Sequence, residues 1–236
     1  MTRFCNGIGD HPRDHTCNPA ATPGRIASGH VDWTLFHAVN STVATRDWLE
    51  DGTTALADVI VPLYALATVG LWFLARPYGP MRWKLASASA LFAAAVALLA
   101  NQAISHLWER PRPFTTHSAL THVLGARTTD PSFPSDHAAA AFAIAFAVFA
   151  FSRRAGAAFL AVAALIGLSR IALGMHYPTD VLAGVLVGLA SATLVTRAGR
   201  PWVSRLVGLV SRVSDPLLRP VWGGMRRVAS SLRVFP

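Results

Sequence analysis

Arginine, histidine and aspartate recur in three short polar stretches whose residue types suit work on a phosphate group. They are ERPRPF (Glu109 to Phe114), PSDH (Pro134 to His137) and SRIALGMHYPTD (Ser169 to Asp180). In the first, Arg110 and Arg112 are fixed cations whose planar forks match phosphate oxygens, and the neighbouring prolines stiffen the chain presenting them. Arginines that snorkel at a membrane edge look much the same, so this motif is weak by itself. In the second, Ser135 is placed as the N-cap of a helix with Asp136 and His137 in its first turn. The free N–H groups there make an anion site, and His137 could donate a proton beside it. A capped helix start with an interfacial histidine reads equally well from that motif alone. In the third, Pro178 opens a helix and puts Asp180 in its first turn. Asp180 can reach back to His176 and keep one ring nitrogen protonated, leaving the other free to attack. Arg170 adds a further cation. A structural cap explains Asp180, but not the arrival of Arg170 and His176 with it.

These residues need a scaffold, and the composition says which kind. Of 236 residues, 53% are hydrophobic and only 14% charged, with a mean hydropathy of +0.40. Soluble domains carry roughly 25% charged residues, so the chain reads as a polytopic membrane protein. The formal charge is +9, with Lys84 the sole lysine. The arginines flank apolar runs and form no soluble basic face, which points to anionic lipid and away from nucleic acid.

Five apolar segments are predicted as helices, at about 54–75, 85–104, 136–152, 155–174 and 180–196. The third and fifth are short beside the roughly 20 residues of a spanning helix, which puts their ends at or beneath the lipid–water boundary. The link after the first segment holds Arg76, Arg82 and Lys84. The next such link holds Arg153 and Arg154, and eight arginines with one acid, Asp215, follow the fifth segment. If all five segments span, these regions share the cytoplasmic side, and the three polar clusters face outward. The predicted fold is an all-α membrane bundle of about five transmembrane helices. It divides into a flexible polar stretch at 1–30, a membrane-embedded domain at 31–200 and a basic tail at 201–236.

Ahead of the first span, Trp33, Leu35, Phe36, Val39 and Val43 recur at helical spacing, which predicts an amphipathic helix along the outer interface. In the tail, Arg205, Arg212, Arg219, Arg226 and Arg233 recur every seven residues. Arg205 and Arg212 can share a face against anionic headgroups, with Leu206, Val210 and Val213 in lipid. Pro216, Pro220 and Gly223–Gly224 are expected to break any continuous helix. Gly184, Gly188 and Ala192 read as a close-packing face within one bundle. Residues 1–28 have no apolar core segment, so insertion falls to the later helices.

His106, His117 and His122 share the outer loop, yet no HExxH motif accompanies them and the acids on that side are scattered. In the head, the spacing of Cys5, His11, His15 and Cys17 is not that of a standard zinc motif. A Cys5–Cys17 disulfide is preferred if the head lies outside the cytoplasm.

Taken in order, RP, PSxH and SR-x5-H-x3-D resemble the motifs of the type 2 phosphatidic-acid phosphatase superfamily of membrane lipid phosphatases, over about residues 54–196. The resemblance implies that His176 is the nucleophile, forming a phosphohistidine, that Asp180 orients it and that His137 protonates the leaving group. It also implies phosphate binding by Arg112, Arg170 and Ser135, with Arg110 and Ser169 in the same motifs, and no metal or other cofactor. Two positions depart from the family pattern. Ser105 stands where a lysine usually begins the first motif, so Arg110 is a candidate replacement charge, and PSDH stands where PSGH is commoner. FPSDH with RPRPF is similar to the bacterial undecaprenyl-diphosphate phosphatase branch. That implies a polyprenyl diphosphate substrate, a bacterial plasma-membrane location and a site on the extracytoplasmic side. Phosphatidate or phosphatidylglycerophosphate is the alternative substrate, and a non-catalytic lipid-binding or transport protein the alternative class. Oligomeric state is not readable.

Overall fold

The computed structural model of the chain describes the backbone of residues 23–75 and 77–231, with side chains over 30–75 and 77–223. Cys5, His11, His15, Cys17, Arg76 and the Arg226 and Arg233 side chains lie outside these described residues. Within them the regular structure is helical: α1 Pro23–Ala44, α2 Asp47–Leu74, α3 Arg82–Leu107, α4 Pro113–Thr116, α5 Asp136–Phe151, α6 Arg153–Ala172, α7 Pro178–Thr193 and α8 Arg200–Ser231. A π-helical turn, Leu194–Ala198, prolongs α7. Four helices are long and apolar enough to cross a membrane: α2, α3, α6 and α7 with its π turn. The fifth expected span, α5, has 16 residues and is shorter.

Alanine explains why α5 sits at the centre. Its buried residues are Ala138, Ala139, Ala141, Ala143, Ile144, Ala145, Ala147 and Val148, and α3, α6 and α7 pack around it. Small side chains let these neighbours approach closely. A methyl built at Gly184 would lie 2.9 Å from the Ser135 carbonyl oxygen, and one at Gly188 2.7 Å from Ala143 N, so neither position has room for a side chain. The glycine face is therefore spent inside the bundle, as its spacing suggested. Tyr64 of α2 ties the same core by donating to the Ala141 carbonyl at 2.8 Å.

Two expectations change at the ends of the chain. The lead-in helix begins at Pro23, inside the segment read as flexible, and breaks at Thr45–Arg46, where α2 starts. Its buried face is Asp32, Phe36, Asn40 and Val43, one residue per turn, packed on the bundle; Val31 and Leu35 remain exposed. Asn40 donates to the His122 and Ala172 carbonyls at 2.7 and 2.9 Å and accepts from His122 N at 2.9 Å. In the tail, α8 runs unbroken through Pro216, Pro220 and Gly223–Gly224. Val203, Val207, Ser211 and Asp215 form its buried face toward α3. The buried face ends at Asp215, and Pro216 and Pro220 follow it on the exposed part of the helix.

Candidate active site

Chain direction alternates through the bundle, so the end of α3, the start of α5, the end of α6 and the start of α7 meet at one end. The loop 108–135 folds over them and α1 packs alongside. His176 lies between α6 and α7, buried at 4% exposure. Its Nδ1 is 2.8 Å from the Ser132 carbonyl oxygen. A carbonyl can only accept, so Nδ1 carries the proton and Nε2 keeps a free lone pair. That lone pair points to the Arg112 guanidinium, whose Nη1 is 3.4 Å away. Burial first, and Arg112 second, push the pKa of His176 down to about 3. The ring is neutral across the physiological range.

Arg112 ends the extended stretch before α4. It donates from Nε to the Asp130 carbonyl at 2.8 Å and from Nη1 to Met175 O at 3.1 Å, which fixes its plane beside His176. Among the described residues, Arg170, on the last turn of α6, has a buried Nε with no partner; the fully buried Ser135 hydroxyl likewise has none and, unlike Arg170, is not among the residues lining the cleft beside His176. Ser135 occupies the N-cap position of α5 without capping it through its side chain. Buried polar groups are normally paired, so unpaired donors at one end of a bundle mark where a ligand's acceptors belong. Arg112, His137, Arg170 and His176 line one cleft of about 340 Å³, together with Gln102, Ser105, His106, Thr128, Asp130 and Asp136. His137, one residue into α5, is exposed to this cleft.

Three expected site residues are placed differently. Ser169 turns its hydroxyl back to the Ile166 carbonyl at 2.8 Å and is not among the cleft-lining residues, because its own helix supplies the nearer acceptor. Arg110 is drawn to carboxylates: Nη1 donates to Asp180 Oδ1 at 2.7 Å and to Thr179 Oγ1 at 2.7 Å, and Nη2 to Asp32 Oδ2 at 2.6 Å. Its guanidinium lies 4.2 Å from the Tyr177 ring centre. So engaged, it does not replace the family lysine at Ser105. Asp180, wholly buried, is 3.8 Å from His176 Nδ1, beyond hydrogen-bond range. Its Oδ2 instead accepts from the Ser132 hydroxyl at 2.5 Å and from Tyr177 N at 2.8 Å. Asp180 is therefore linked to His176 through Ser132 and not by a direct hydrogen bond. His117 stacks on Trp33, with ring centres 3.8 Å apart.

Sequence reasoning missed Ser132, Asp32 and Thr179. Ser132 acts through both its carbonyl and its hydroxyl, and no pattern marks such a role. Asp32 could have been found, since with Asn40 it places polar groups on the same helical face as Phe36. A further contact, Asn101 Nδ2 to Asp136 Oδ1 at 2.8 Å, ties α3 to the first turn of α5.

Comparison with known proteins agrees with this geometry. The chain is 27% identical to undecaprenyl-diphosphatase BcrC of Bacillus subtilis, over 80% of this chain and 96% of that protein. It is 30% identical to the bacitracin transport permease protein BcrC of Bacillus licheniformis, over 78% and 89%. The crystal structure of Aquifex aeolicus LpxE superposes with a TM-score of 0.58 at 24% identity, covering 70% of this chain and 93% of that one, which shows a shared fold. Residues 86–203 match the family model described as the PAP2 superfamily, and they carry Arg112, the PSDH helix start and the His176–Asp180 turn. With four helices fit to cross a bilayer and these motifs gathered at one end, the chain belongs to the PAP2 superfamily, as a multi-pass membrane phosphatase.

Proposed function

We propose that this phosphatase hydrolyses undecaprenyl diphosphate to undecaprenyl phosphate and inorganic phosphate, through a phosphohistidine and without a metal ion. The observation that carries the chemistry is the cleft itself, where the free Nε2 of His176 faces Arg112 in a pocket shared with Arg170 and His137. The likeness to undecaprenyl-diphosphatase BcrC, over nearly that protein's whole length, supports the substrate.

In this reading α5 is the fifth span, the cleft opens on the extracytoplasmic side of a bacterial plasma membrane, and α8 rests on the opposite surface. Arg205, Arg212 and Arg219 are exposed there beside exposed Trp202, Leu206, Leu209 and Val213, which suits anionic headgroups. The lipid tail stays in the bilayer while the diphosphate enters the cleft. His176 Nε2 attacks the terminal phosphorus, forming the N–P bond as the bond to the bridging oxygen breaks. Arg112, Arg170 and the Ser135 hydroxyl stabilise charge on the equatorial oxygens. His137 gives its proton to the leaving lipid phosphate, then takes one from the water that cleaves the N–P bond. His176 returns to its starting tautomer on the Ser132 carbonyl.

The test is phosphate release by the purified protein from undecaprenyl diphosphate, phosphatidate and phosphatidylglycerophosphate side by side, each with and without EDTA. Fastest turnover of undecaprenyl diphosphate, unchanged by EDTA, is expected. Preference for either glycerolipid would reassign the substrate, and strict dependence on a divalent ion would remove the mechanism.

A further inference from the structure

We propose that Asp32, acting through Arg110, is a positioning residue for His176, which makes α1 a working part of the phosphatase although it lies outside residues 86–203 of the family match. The inference rests on His176 being the nucleophile.

Asp32 is 4% exposed and both its oxygens are engaged. Oδ1 accepts from Thr179 N at 3.0 Å, and Oδ2 from the Thr179 hydroxyl and Arg110 Nη2, both at 2.6 Å. It thus takes a backbone donor from the first turn of α7, the helix that begins just after His176. The other side of the Arg110 fork holds Asp180 Oδ1 at 2.7 Å, while Asp180 Oδ2 accepts from the Ser132 hydroxyl, and the Ser132 carbonyl accepts from His176 Nδ1. An unbroken series of short contacts joins an α1 carboxylate to the reacting ring.

Charge gives the series a chemical consequence. One guanidinium is shared between two buried carboxylates, so the trio carries a net negative charge near His176. When Nε2 takes the phosphoryl group the ring becomes cationic, and that negative charge stabilises it from the Nδ1 side. Neutralising Asp32 would hand the whole of Arg110 to Asp180 and cancel the field. It would also free one arm of the fork. The phosphate-binding groups Arg112, Arg170 and Ser135 make no hydrogen bond to Asp32 or Arg110. The change should therefore act on the chemical step and not on substrate capture.

The experiment measures kcat and KM for the full chain in nanodiscs, with whichever of the three lipids it turns over fastest. Asp32→Asn is expected to lower kcat about tenfold with KM within about twofold. The double variant Asp32→Asn/Arg110→Gln is expected to be no slower than Arg110→Gln alone, since both act on one series. Should Asp32→Asn fail to fold, Arg110→Lys, which keeps the charge and loses the fork, is expected to show the same fall in kcat at constant KM. Unchanged kcat, a rise in KM alone, or effects that multiply in the double variant would overturn the inference. His176→Ala separates the two readings. Turnover retained without His176 discards the nucleophile, whereas an inactive His176→Ala beside a normal Asp32→Asn discards only the role of Asp32.

Discussion

Both ends of the bundle bury oppositely charged side chains, and they do so for different purposes. At the end away from the cleft, Lys84 of α3 pairs with Asp215 of α8, and the pair is closed. Lys84 also donates to the Ser211 hydroxyl at 3.2 Å, and the second oxygen of Asp215 accepts from Tyr78 N at 3.0 Å. Nothing on that carboxylate is left for a ligand. At the cleft end, Arg110, Asp32 and Asp180 are equally well bonded, but the groups around them are not. Asn101 Oδ1, Ser135 Oγ and Arg170 Nε belong to that end, three of the five buried side-chain atoms without a hydrogen-bond partner among the described residues. A buried ion pair alone is therefore poor guidance to function. What distinguishes the cleft end is that its unpaired donors include a guanidinium, Arg170 Nε, besides Ser135 Oγ, whereas the closed end leaves a neutral hydroxyl, Ser214 Oγ, next to Asp215.

His176→Ala presses hardest on this contrast. It is expected to abolish phosphate release, by a factor of about 10⁴ or more, while the thermal midpoint in detergent stays close to the parent's. Substantial turnover would remove His176 as nucleophile. Asp215→Asn should give the opposite pattern. Leaving Lys84 buried without its partner costs about 3–5 kcal/mol, an expected fall of about 10 °C in unfolding midpoint, with kcat below that temperature within about twofold. Lost activity with unchanged stability would make the closed pair part of the chemistry. The smallest expected effect is on pH. With its pKa held at about 3, His176 stays unprotonated at every pH well above that value. The ring-nitrogen NMR shifts of His176 should then keep the neutral, Nδ1-protonated pattern from about pH 5 to 8. A titration of those shifts centred near the ordinary histidine value of about 6.5 would mean that the ring is less isolated than its surroundings imply.

Much of this was legible in the sequence for physical reasons. Unbroken apolar runs have few fates, so all five expected helices formed, with boundaries shifted by at most three residues except at the start of α2. Arg112, His137, Arg170 and His176 could be grouped because each flanks an apolar run and those flanks alternate between two ends. What stayed hidden depended on where short side chains turn. Ser169 had a carbonyl of its own helix nearer than any ligand, and Arg110 had two carboxylates, one of them 78 positions earlier in the chain. The proline signals in α8 did not break the helix, whose packed face on α3 lies ahead of both prolines. Ser132 contributes largely through its backbone, and backbone roles carry no residue signature.

The glycines of α7 carry a consequence for how such an enzyme can change. Because Gly184 lets α7 lie against α5, the Ser135 amide donates to the Asp180 carbonyl at 3.1 Å, main chain to main chain between two helices. The spacing between Ser135 and the turn that carries His176 is therefore gauged in part by peptide atoms. Side chains on the rim could drift to fit another lipid headgroup without altering that gauge, whereas any replacement at Gly184 would shift both halves of the reaction at once.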